Sequence, residues 1–293
     1  MSSTGTASRV AQRLVLKWVV LLVVPASRSG VISRELLLDE THVSVAEVRC
    51  SHDGGWSPHA AVQQHGLVLV QAGTFRRRAD GVETLADRGV GYLVVPETEE
   101  SFAHPHGGDI CTSIRLSGEA FDELSAGRRM PLGPRSVQVG TEVVHRRLLA
   151  AAHRHAAEAT ELAVEVADRM LQTAEPAHDR PPVTRRRRRL ADDARQALVV
   201  DPTLSLTELA QQLGASPWYL SRTIRQATGG TLTQLRQDMR ARAAIELLAN
   251  TDVQLTTVAA RCGYADQPHL TRELRRLTGV TPARLAALVR RPM

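Results

Sequence analysis

Two groups of side chains near the C-terminal end have types and spacings suited to contacting nucleic-acid bases. They recur about 50 residues apart, each along one face of a predicted helix. The first group is Trp218, Ser221, Arg222 and Arg225, and the second is Gln267, Pro268, His269, Thr271, Arg272 and Arg275. Arg forms paired hydrogen bonds with guanine and Gln with adenine, and an aromatic ring can press on a thymine methyl group. The alternatives are that the arginines are only solvated, or that Arg225, Arg275 and His269 reach phosphate alone.

A second set of reactive side chains lies in the first half of the chain. The set is Cys50, His52, His104, His106 and Cys111. If strand ends meet, these residues could form a Cys/His metal site or a redox-sensing cysteine pair. Their spacings match no compact zinc pattern, so we favour one buried cysteine per strand with surface histidines. We therefore predict no metal and no cofactor, with these five residues as the candidates for a metal site if one exists.

The C-terminal groups belong to an internal repeat. Residues 205–214 align with residues 254–263 at an offset of 49, and beyond the turn the offset becomes 50. Each copy predicts a short helix, a turn at a glycine and an amphipathic helix that ends at Thr-Gly. A further helix over 232–249 joins the two copies.

The repeated positions have the physical roles of a helix-turn-helix. Ala210 and its counterpart Ala259 are small enough for two helices to cross closely, and Gly214 and Gly263 accept the positive φ of a sharp turn. The inward positions of the second helices are Leu220, Ile224, Leu270 and Leu274. Cys262 takes the place of Leu213, which predicts a small buried side chain.

Composition and charge support this division of the chain. The 293 residues are 43% hydrophobic, which fits about two domains with real cores and excludes disorder throughout. Residues 185–293 carry 18 Arg against nine acidic residues, whereas residues 1–184 carry 19 basic and 22 acidic residues. The basic C-terminal part indicates a polyanion as partner. Three cysteines exclude a disulfide scaffold and fit a reducing compartment.

The region from residue 31 to residue 116 has the rhythm of short strands separated by turns. The strands are predicted at 43–48, 65–70, 74–78, 90–95 and 110–116. Such spacing is typical of an antiparallel sandwich or small barrel. From residue 118 the pattern is helical, and the apolar positions between Val144 and Met170 fit one helix, or two helices broken near Glu158.

These patterns predict an α+β protein of two domains: an N-terminal antiparallel β-barrel or sandwich with helices, and an all-α double helix-turn-helix. We assign 1–30 as an uncertain leader, 31–175 as the β domain, 176–189 as a linker with an Arg run, and 190–293 as the helix-turn-helix domain. The apolar run at 15–24 resembles a secretory signal, with a buried element or a wrongly chosen start codon as alternatives. The arginines at 185–189 are either a phosphate-binding arm or a solvated linker.

The residues at 190–288 resemble the DNA-binding domain of the AraC/XylS family of transcription regulators. The tracts at 260–272 and 278–282 carry the resemblance. It implies seven helices, with two of them entering successive major-groove segments. The family's base-reading positions then fall on Trp218, Ser221, Arg222, Gln267, Pro268 and Arg272. Leu274 and Leu285 stand where the family commonly has aromatic residues, a change that a core tolerates.

The β region resembles, more loosely, the cupin-like sensor domains that precede this module in many family members. His65, Gly73 and the tracts at 65–70 and 91–96 carry that resemblance. It implies a domain that holds a small effector or pairs two subunits, and a helical face at 144–170 that packs on the barrel or forms a dimer seam.

Together these observations predict a cytoplasmic, non-enzymatic, sequence-specific DNA-binding transcription regulator that responds to a small effector. Its expected partners are double-stranded DNA, an effector, a second copy of the chain and, for an activator, RNA polymerase, with no membrane. The alternative is a cupin-type metal-binding enzyme or sensor that uses the Cys/His residues between 50 and 111. A second alternative is an exported or membrane-tethered protein, which only residues 13–26 support.

Overall fold

The computed structural model describes residues 32–51, 54–79, 81–105, 107–128, 133–173 and 183–290. The predicted leader at 1–30 and the first part of the predicted linker lie outside these residues. Within them a β-rich part with three helices precedes an all-helical part, so the predicted two-part α+β architecture is confirmed. No helix in the described ranges combines the length and apolar character needed to cross a bilayer.

The described strands form two antiparallel sheets. The strands are β1 (Ile32–Asp39), β2 (Val43–Cys50), β3 (Ala60–Ala61), β4 (His65–Ala72), β5 (Phe75–Ala79), β6 (Val82–Ala86), β7 (Val90–Val94), β8 (Glu99–Ala103), β9 (Asp109–Leu116) and β10 (Pro134–Ser136). The larger sheet has the order β1-β2-β9-β4-β7-β10 and the smaller has the order β3-β8-β5-β6. The five predicted strands correspond to β2, β4, β5, β7 and β9.

Side-chain alternation gives β4, an interior strand of the larger sheet, two buried faces. On β4, Leu67 and Leu69 join the apolar cluster beneath the helices, whereas Val68 and Val70 join a second cluster with Phe75 of the smaller sheet. A strand buried on both sides reads as a continuous apolar run, which is what β4 shows in the sequence. The aromatic rings of Phe75, Tyr92 and Phe102 lie between the sheets, with ring centroids 5.9–6.5 Å apart.

Three helices cover the other face of the larger sheet. They are α1 (Gly118–Ser125), α2 (Val139–Ala151) and α3 (Ala156–Gln172). The face predicted between Val144 and Met170 therefore belongs to two helices, and the break falls at 152–155, just before Glu158. Both helices pack on the sheet through the same apolar cluster, so the predicted packing on the barrel is found and the alternative of a dimer seam on this face is wrong.

Seven helices follow between residues 183 and 290, a range that the structure describes throughout. They are α4 (Arg185–Val200), α5 (Leu206–Gln212), α6 (Pro217–Thr228), α7 (Leu232–Asn250), α8 (Leu255–Arg261), α9 (Gln267–Thr278) and α10 (Pro282–Val289). The helical part begins five residues before the predicted boundary, because the arginines at 185–189 form the first turns of α4. Thr184 caps that helix by accepting a hydrogen bond from the backbone N–H of Arg187 at 3.4 Å.

The two helix-turn-helix units have separate cores. Leu209, Leu220 and Ile224 lie in the first core, which α4 completes through its alanines. The second core includes Leu270 and Leu274 together with residues of α7, α8 and α10. Val139 and Val143 of α2 also belong to this second core, so the β-rich part supplies a wall of the second unit.

Buried ion pairs join the two parts of the molecule beside that shared core. The guanidinium of Arg242 on α7 donates to Glu142 of α2 at 3.0 Å and to the carbonyl of Arg88 at 2.8 Å. It also donates to the carbonyl of Val137, and Arg88 pairs with Glu246 of α7. Arg242 and Glu142 are 3% and 1% exposed, so each charge depends on the other for its stability in the interior.

A second set of ion pairs holds α4 against the smaller sheet and its connection to β7. Asp87 is buried and accepts from Arg195 of α4 at 2.7 Å. Arg76 of β5 lies 3.4 Å from Asp192 of α4. Both helix-turn-helix units are thus attached to the β-rich part by charged contacts.

Candidate nucleic-acid interface

The first helix-turn-helix unit is built by local capping and one glycine turn. Ser205 and Glu208 form a reciprocal capping box at the start of α5, and Gly214 makes the turn with φ of 60°. Ser216 then caps α6 by accepting from the backbone N–H of Tyr219 at 3.2 Å, with Pro217 in the first turn. These signals fix where α6 begins and therefore which side chains its N-terminal end presents.

The outward face of α6 carries the first predicted group. Trp218 is 68% exposed although it is the largest apolar side chain in the unit. Arg222 and Arg225 are exposed, and Ser221 is half-buried. The guanidinium of Arg222 lies 5.3 Å from the centroid of the Trp218 ring, a distance suited to a cation–π contact. Trp218 and Arg222 therefore form one exposed surface at the start of the helix.

The second unit presents the second predicted group in the same way. Asp266 caps α9 through the backbone N–H of His269 at 2.7 Å, and Gly263 makes the preceding turn with φ of 72°. Leu270 and Leu274 are fully buried. The side chains on the other face are exposed or, for Thr271, half-buried: Gln267, Pro268, Thr271, Arg272 and Arg275.

His269 differs from its neighbours in α9. Its ring meets the ring of the buried Tyr264 edge to face, with centroids 5.4 Å apart. Its Nδ1 accepts a hydrogen bond from the backbone N–H of Ala265 at 3.4 Å. These contacts give His269 a role in holding the turn before α9.

The arginine run flanks the first unit. Arg187 donates to Gln226 of α6 at 3.1 Å, and its hydrogen bond to Tyr219 lowers the pKa of that phenol. Arg185, Arg186, Arg188 and Arg189 are exposed or half-buried at the N-terminal end of α4. A helix N-terminus favours anions, and five cations there oppose the helix dipole. The first turns of α4 therefore form a strongly positive surface next to α6.

Three of the Cys/His candidates lie at one end of the space between the sheets. The Sγ of Cys50 lies 3.9 Å from Nδ1 of His104. Cys111 donates from its thiol to Oδ2 of Asp109 at 2.7 Å, and Nε2 of His104 lies 2.7 Å from Oδ1 of Asp109. His52 and His106 lie outside the described residues. Cys262 is 1% exposed in the second helix-turn-helix core, so its predicted role as a small core residue is confirmed.

Asp109 is the member of this cluster that the sequence pattern did not single out. It follows Gly107 and Gly108, just before the predicted strand at 110–116. Cross-strand pairing places it directly opposite Cys50, so both side chains lie on the same face of the sheet. The signal that could have identified Asp109 is its spacing: a carboxylate that can bind metal lies two residues before Cys111 and five residues after His104.

Burial and the neighbouring carboxylate determine the protonation of this cluster. Burial lowers the pKa of His104, but hydrogen bonds and charge from Asp109 and Cys50 outweigh that effect and raise the pKa to about 9. Burial and the Asp109 carboxylate raise the pKa of the Cys111 thiol well above its usual range. His104 is therefore protonated near neutral pH beside a protonated Cys111 in the metal-free protein.

Two helix-turn-helix units joined by one long helix define a double helix-turn-helix domain. Comparison with known families agrees, because residues 209–287 match a family model described as a helix-turn-helix domain. This part of the chain therefore matches the helix-turn-helix class of domain that its sequence predicted.

Two regulators share this region with the chain. The chain is 30% identical over 89 residues to the arabinose operon regulatory protein of Escherichia coli, and the aligned region covers 30% of this chain and 30% of that protein. It is 38% identical over 90 residues to the HTH-type transcriptional regulator RipA of Corynebacterium glutamicum, covering 30% of this chain and 27% of that protein. The chain thus matches less than a third of the length of these relatives. The crystal structure of ToxT from Vibrio cholerae is 9% identical and covers 85% of this chain and 99% of that chain, with a TM-score of 0.34.

Proposed function

We propose that this protein is a sequence-specific, DNA-binding regulator of transcription that acts in the cytoplasm without catalysing a reaction. The helices α6 and α9 enter the major groove, and their exposed N-terminal faces contact base edges. The observation that carries the proposal is that each helix fully buries one apolar pair and leaves arginine, with Trp218 or Gln267, exposed at its N-terminal end. The buried pairs are Leu220 with Ile224 and Leu270 with Leu274.

The individual contacts follow from the chemistry of these side chains. Arg222 and Arg272 suit guanine, Gln267 suits adenine, and Trp218 suits a thymine methyl group. Ser221, Pro268 and Thr271 complete the surfaces that face the groove. Arg225 and Arg275 lie one turn further along their helices and contact phosphate. The contacts that His269 makes within the protein favour a structural role or a phosphate contact for it.

The arginine run provides the sequence-independent part of the affinity. Its position beside α6, and the unfavourable placement of five cations at a helix N-terminus, favour a phosphate-binding surface over a solvated linker. Each phosphate neutralised releases counterions, so the affinity depends steeply on salt.

The β-rich part is proposed to sense a small effector and to influence the DNA-binding domain through the buried ion pairs. A cavity of about 400 Å³ is lined in part by Ala72 and Gly73 at the end of β4. The carbonyl of the adjoining Gln71 accepts hydrogen bonds from Arg88 and Arg146. Both arginines belong to the network around Glu142 that reaches α7. A second copy of the chain would place further units on an adjacent half-site, and RNA polymerase is the expected partner of an activator.

The test is to select bound fragments from a genomic library with the full chain and to measure affinity for a selected site and for unrelated DNA. We expect Arg222→Ala and Arg272→Ala each to weaken specific binding by about 5- to 150-fold, since one paired base contact is worth about 1–3 kcal/mol. Binding to unrelated DNA should change little.

Arg169→Ala is the matched control, because Arg169 is an exposed arginine on α3 and its loss changes the net charge equally. It should leave both affinities unchanged. An equal loss on all sequences for Arg222→Ala and Arg272→Ala would contradict base reading by these residues. A flat dependence of affinity on salt would contradict the phosphate-binding surface.

A further inference from the structure

We infer that Cys50, His104 and Asp109 form a binding site for a divalent transition-metal ion of the zinc type, at the end of the space between the two sheets. All three residues are buried, and one donor atom from each lies within 4.8 Å of the others. The site is independent of the proposed DNA contacts, since all three residues lie in the β-rich part.

The donor set fits this class of ion. Thiolate and imidazole ligands favour zinc and its neighbours over magnesium or calcium, and one carboxylate completes a common three-ligand set. Tetrahedral zinc holds sulfur at about 2.3 Å and nitrogen or oxygen at about 2.0–2.2 Å, so the donor atoms are about 3.3–3.6 Å apart. The separation of 3.9 Å between Sγ of Cys50 and Nδ1 of His104 is close to that geometry. Oδ1 of Asp109 lies nearer to Nε2, so the imidazole must turn for a single nitrogen to share one ion with both other donors.

Oδ1 of Asp109 is a buried carboxylate oxygen that faces His104. The residue is 7% exposed, and Nε2 of His104 lies 2.7 Å from Oδ1. A buried carboxylate needs a partner of opposite charge or a hydrogen-bond donor. A bound cation at this position would be such a partner.

Cys111 contacts the Asp109 ligand and is not itself assigned as a ligand of the metal. Its thiol donates to Oδ2 of Asp109, which orients the carboxylate so that Oδ1 is directed to the cluster. Hydrogen bonds of this kind position metal ligands and tune their affinity. Cys111 is therefore a positioning residue.

The backbone around the cluster is tightly fitted. A Cβ on Gly108 would lie 2.0 Å from the carbonyl oxygen of Cys50, so only glycine lets the start of β9 approach the end of β2 this closely. That approach brings Asp109 opposite Cys50. The cavity of about 400 Å³ reaches both side chains, and it leaves room for water or a small donor molecule at a fourth coordination position.

The experiment uses the full chain without a histidine tag, stripped by a chelator and titrated with Co²⁺ under reducing conditions. We expect one Co²⁺ per chain, a sulfur-to-cobalt charge-transfer band, and its loss when Zn²⁺ is added. Thiolate and neutral imidazole are the forms that bind metal, so any protons these ligands carry pass to the buffer on binding. Cys50→Ser should remove the band, and His104→Gln and Asp109→Asn should weaken binding by more than about 100-fold, beyond the effect of losing an outer partner.

Two cysteine variants serve as controls. Cys262→Ala removes a buried thiol from the other part of the molecule and should leave the titration unchanged. Cys111→Ser should keep the band and the stoichiometry while weakening binding by about tenfold. A wild-type chain without the band, or a band that survives Cys50→Ser, would overturn the assignment.

A measurement on the wild-type chain covers the case in which a variant does not fold. X-ray absorption of the zinc-loaded protein should give one sulfur at about 2.3 Å, with the remaining ligands nitrogen or oxygen at about 2.0–2.2 Å. Two sulfur ligands would overturn the assignment of Cys111 as a positioning residue. Cys50 and Cys111 could instead form a disulfide even in the reducing buffer. If that disulfide forms and the chain binds no metal, the two cysteines are a redox pair and the metal site is overturned.

Discussion

Asp192 of α4 illustrates at the scale of one residue how burial and charge compete where the two parts of the molecule meet. Burial raises the pKa of its carboxyl to about 6, and Asp87 and Asp193 add to that effect, while Arg76 and Arg195 lower it. The side chain lies 3.4 Å from a guanidinium nitrogen of Arg76 and still has a raised pKa. The cost of desolvation therefore exceeds the attraction at this ion pair.

This raised pKa predicts a dependence of stability on pH. The unfolded carboxyl titrates near pH 3.9, so between about pH 4 and pH 6 the folded protein binds more protons at Asp192 than the unfolded chain does. The contribution of this group to stability is present at low pH and is lost as the pH rises through 6.

Asp192→Asn should remove the loss of stability that the wild type shows as the pH rises through 6. We expect the variant to be more stable than the wild type at pH 7.5 by about 1 kcal/mol, or about 2–4 °C in Tm. The difference should shrink at pH 5. Asp193→Asn, a change at the more exposed neighbour, should have a smaller effect. Thermal unfolding at both pH values measures this, and a variant less stable than the wild type at pH 7.5 would refute the interpretation.

At the scale of the element, the two glycine turns of the helix-turn-helix units look alike in sequence but differ in surroundings. Gly214 and Gly263 both have positive φ. A Cβ on Gly214 would meet nothing within 4 Å, whereas a Cβ on Gly263 would meet the guanidinium of Arg240 at 3.2–3.3 Å. Arg240 in turn donates to the carbonyl of Pro202 at 3.0 Å, so the second turn is linked to the loop before α5.

Gly214→Ala and Gly263→Ala should therefore destabilise the protein unequally. Both place a side chain in the left-handed region, at a cost of about 1–2 kcal/mol. Gly263→Ala should cost more, because Arg240 must also move away from Pro202. Urea denaturation of both variants measures the difference, with Gly81→Ala, a positive-φ position with open surroundings in the β-rich part, as the reference. Equal losses at Gly214 and Gly263 would show that the Arg240 contact does not contribute.

Elements with a strong local signal could be predicted from the sequence, and those that depend on distant contacts could not. The helices α5, α6, α8 and α9 follow from periodicity, caps and glycine turns, and β4 follows from its apolar run. The two-residue β3 and the edge strand β10 carry no such signal, because pairing with β8 and β7 alone defines them. The arginines at 185–189 have the composition of a linker, yet packing of α4 against α6 keeps them helical.

The same limit applies to the candidate sites. The exposed face of a recognition helix can be read from one helical period, which is how Arg222 and Arg272 were identified. The ion pair of Arg242 with Glu142 joins residues 100 positions apart, and no local pattern indicates it. Asp109 escaped notice for a similar reason, since its relation to Cys50 depends on the pairing of β2 with β9.

At the scale of the whole molecule, the Arg242–Glu142 contact joins the helix-turn-helix domain to the β-rich part. Burial raises the pKa of Glu142, but Arg146, Arg242, Arg88 and His145 together lower it below its usual value. Its carboxylate therefore stabilises the folded protein above about pH 4.3, and that contribution is lost as the pH falls through the lowered pKa. Charges from both parts of the molecule are needed to keep this site ionised.

Breaking that contact should destabilise the whole molecule. We expect Arg242→Met to cost about 3–5 kcal/mol, because it removes one of the two arginines that pair with the buried Glu142 carboxylate and the donor to two backbone carbonyls. The double variant with Glu142→Gln should lose less than the sum of the two single variants. The exposed pair of Arg169 with Glu165 is the control, with an expected loss of at most about 1 kcal/mol for Arg169→Ala. Additive losses in urea denaturation would indicate that the two charges do not interact.

The shared core has a consequence for how such proteins can be recombined. Because Val139 and Val143 complete the apolar interior of the second helix-turn-helix unit, cutting the chain near residue 184 would expose that interior to water. A chimera that grafts this C-terminal part onto a foreign sensor would need to bring along α2, or apolar side chains that replace its two valines. The unit of exchange between proteins of this design is therefore larger than the part proposed to contact DNA.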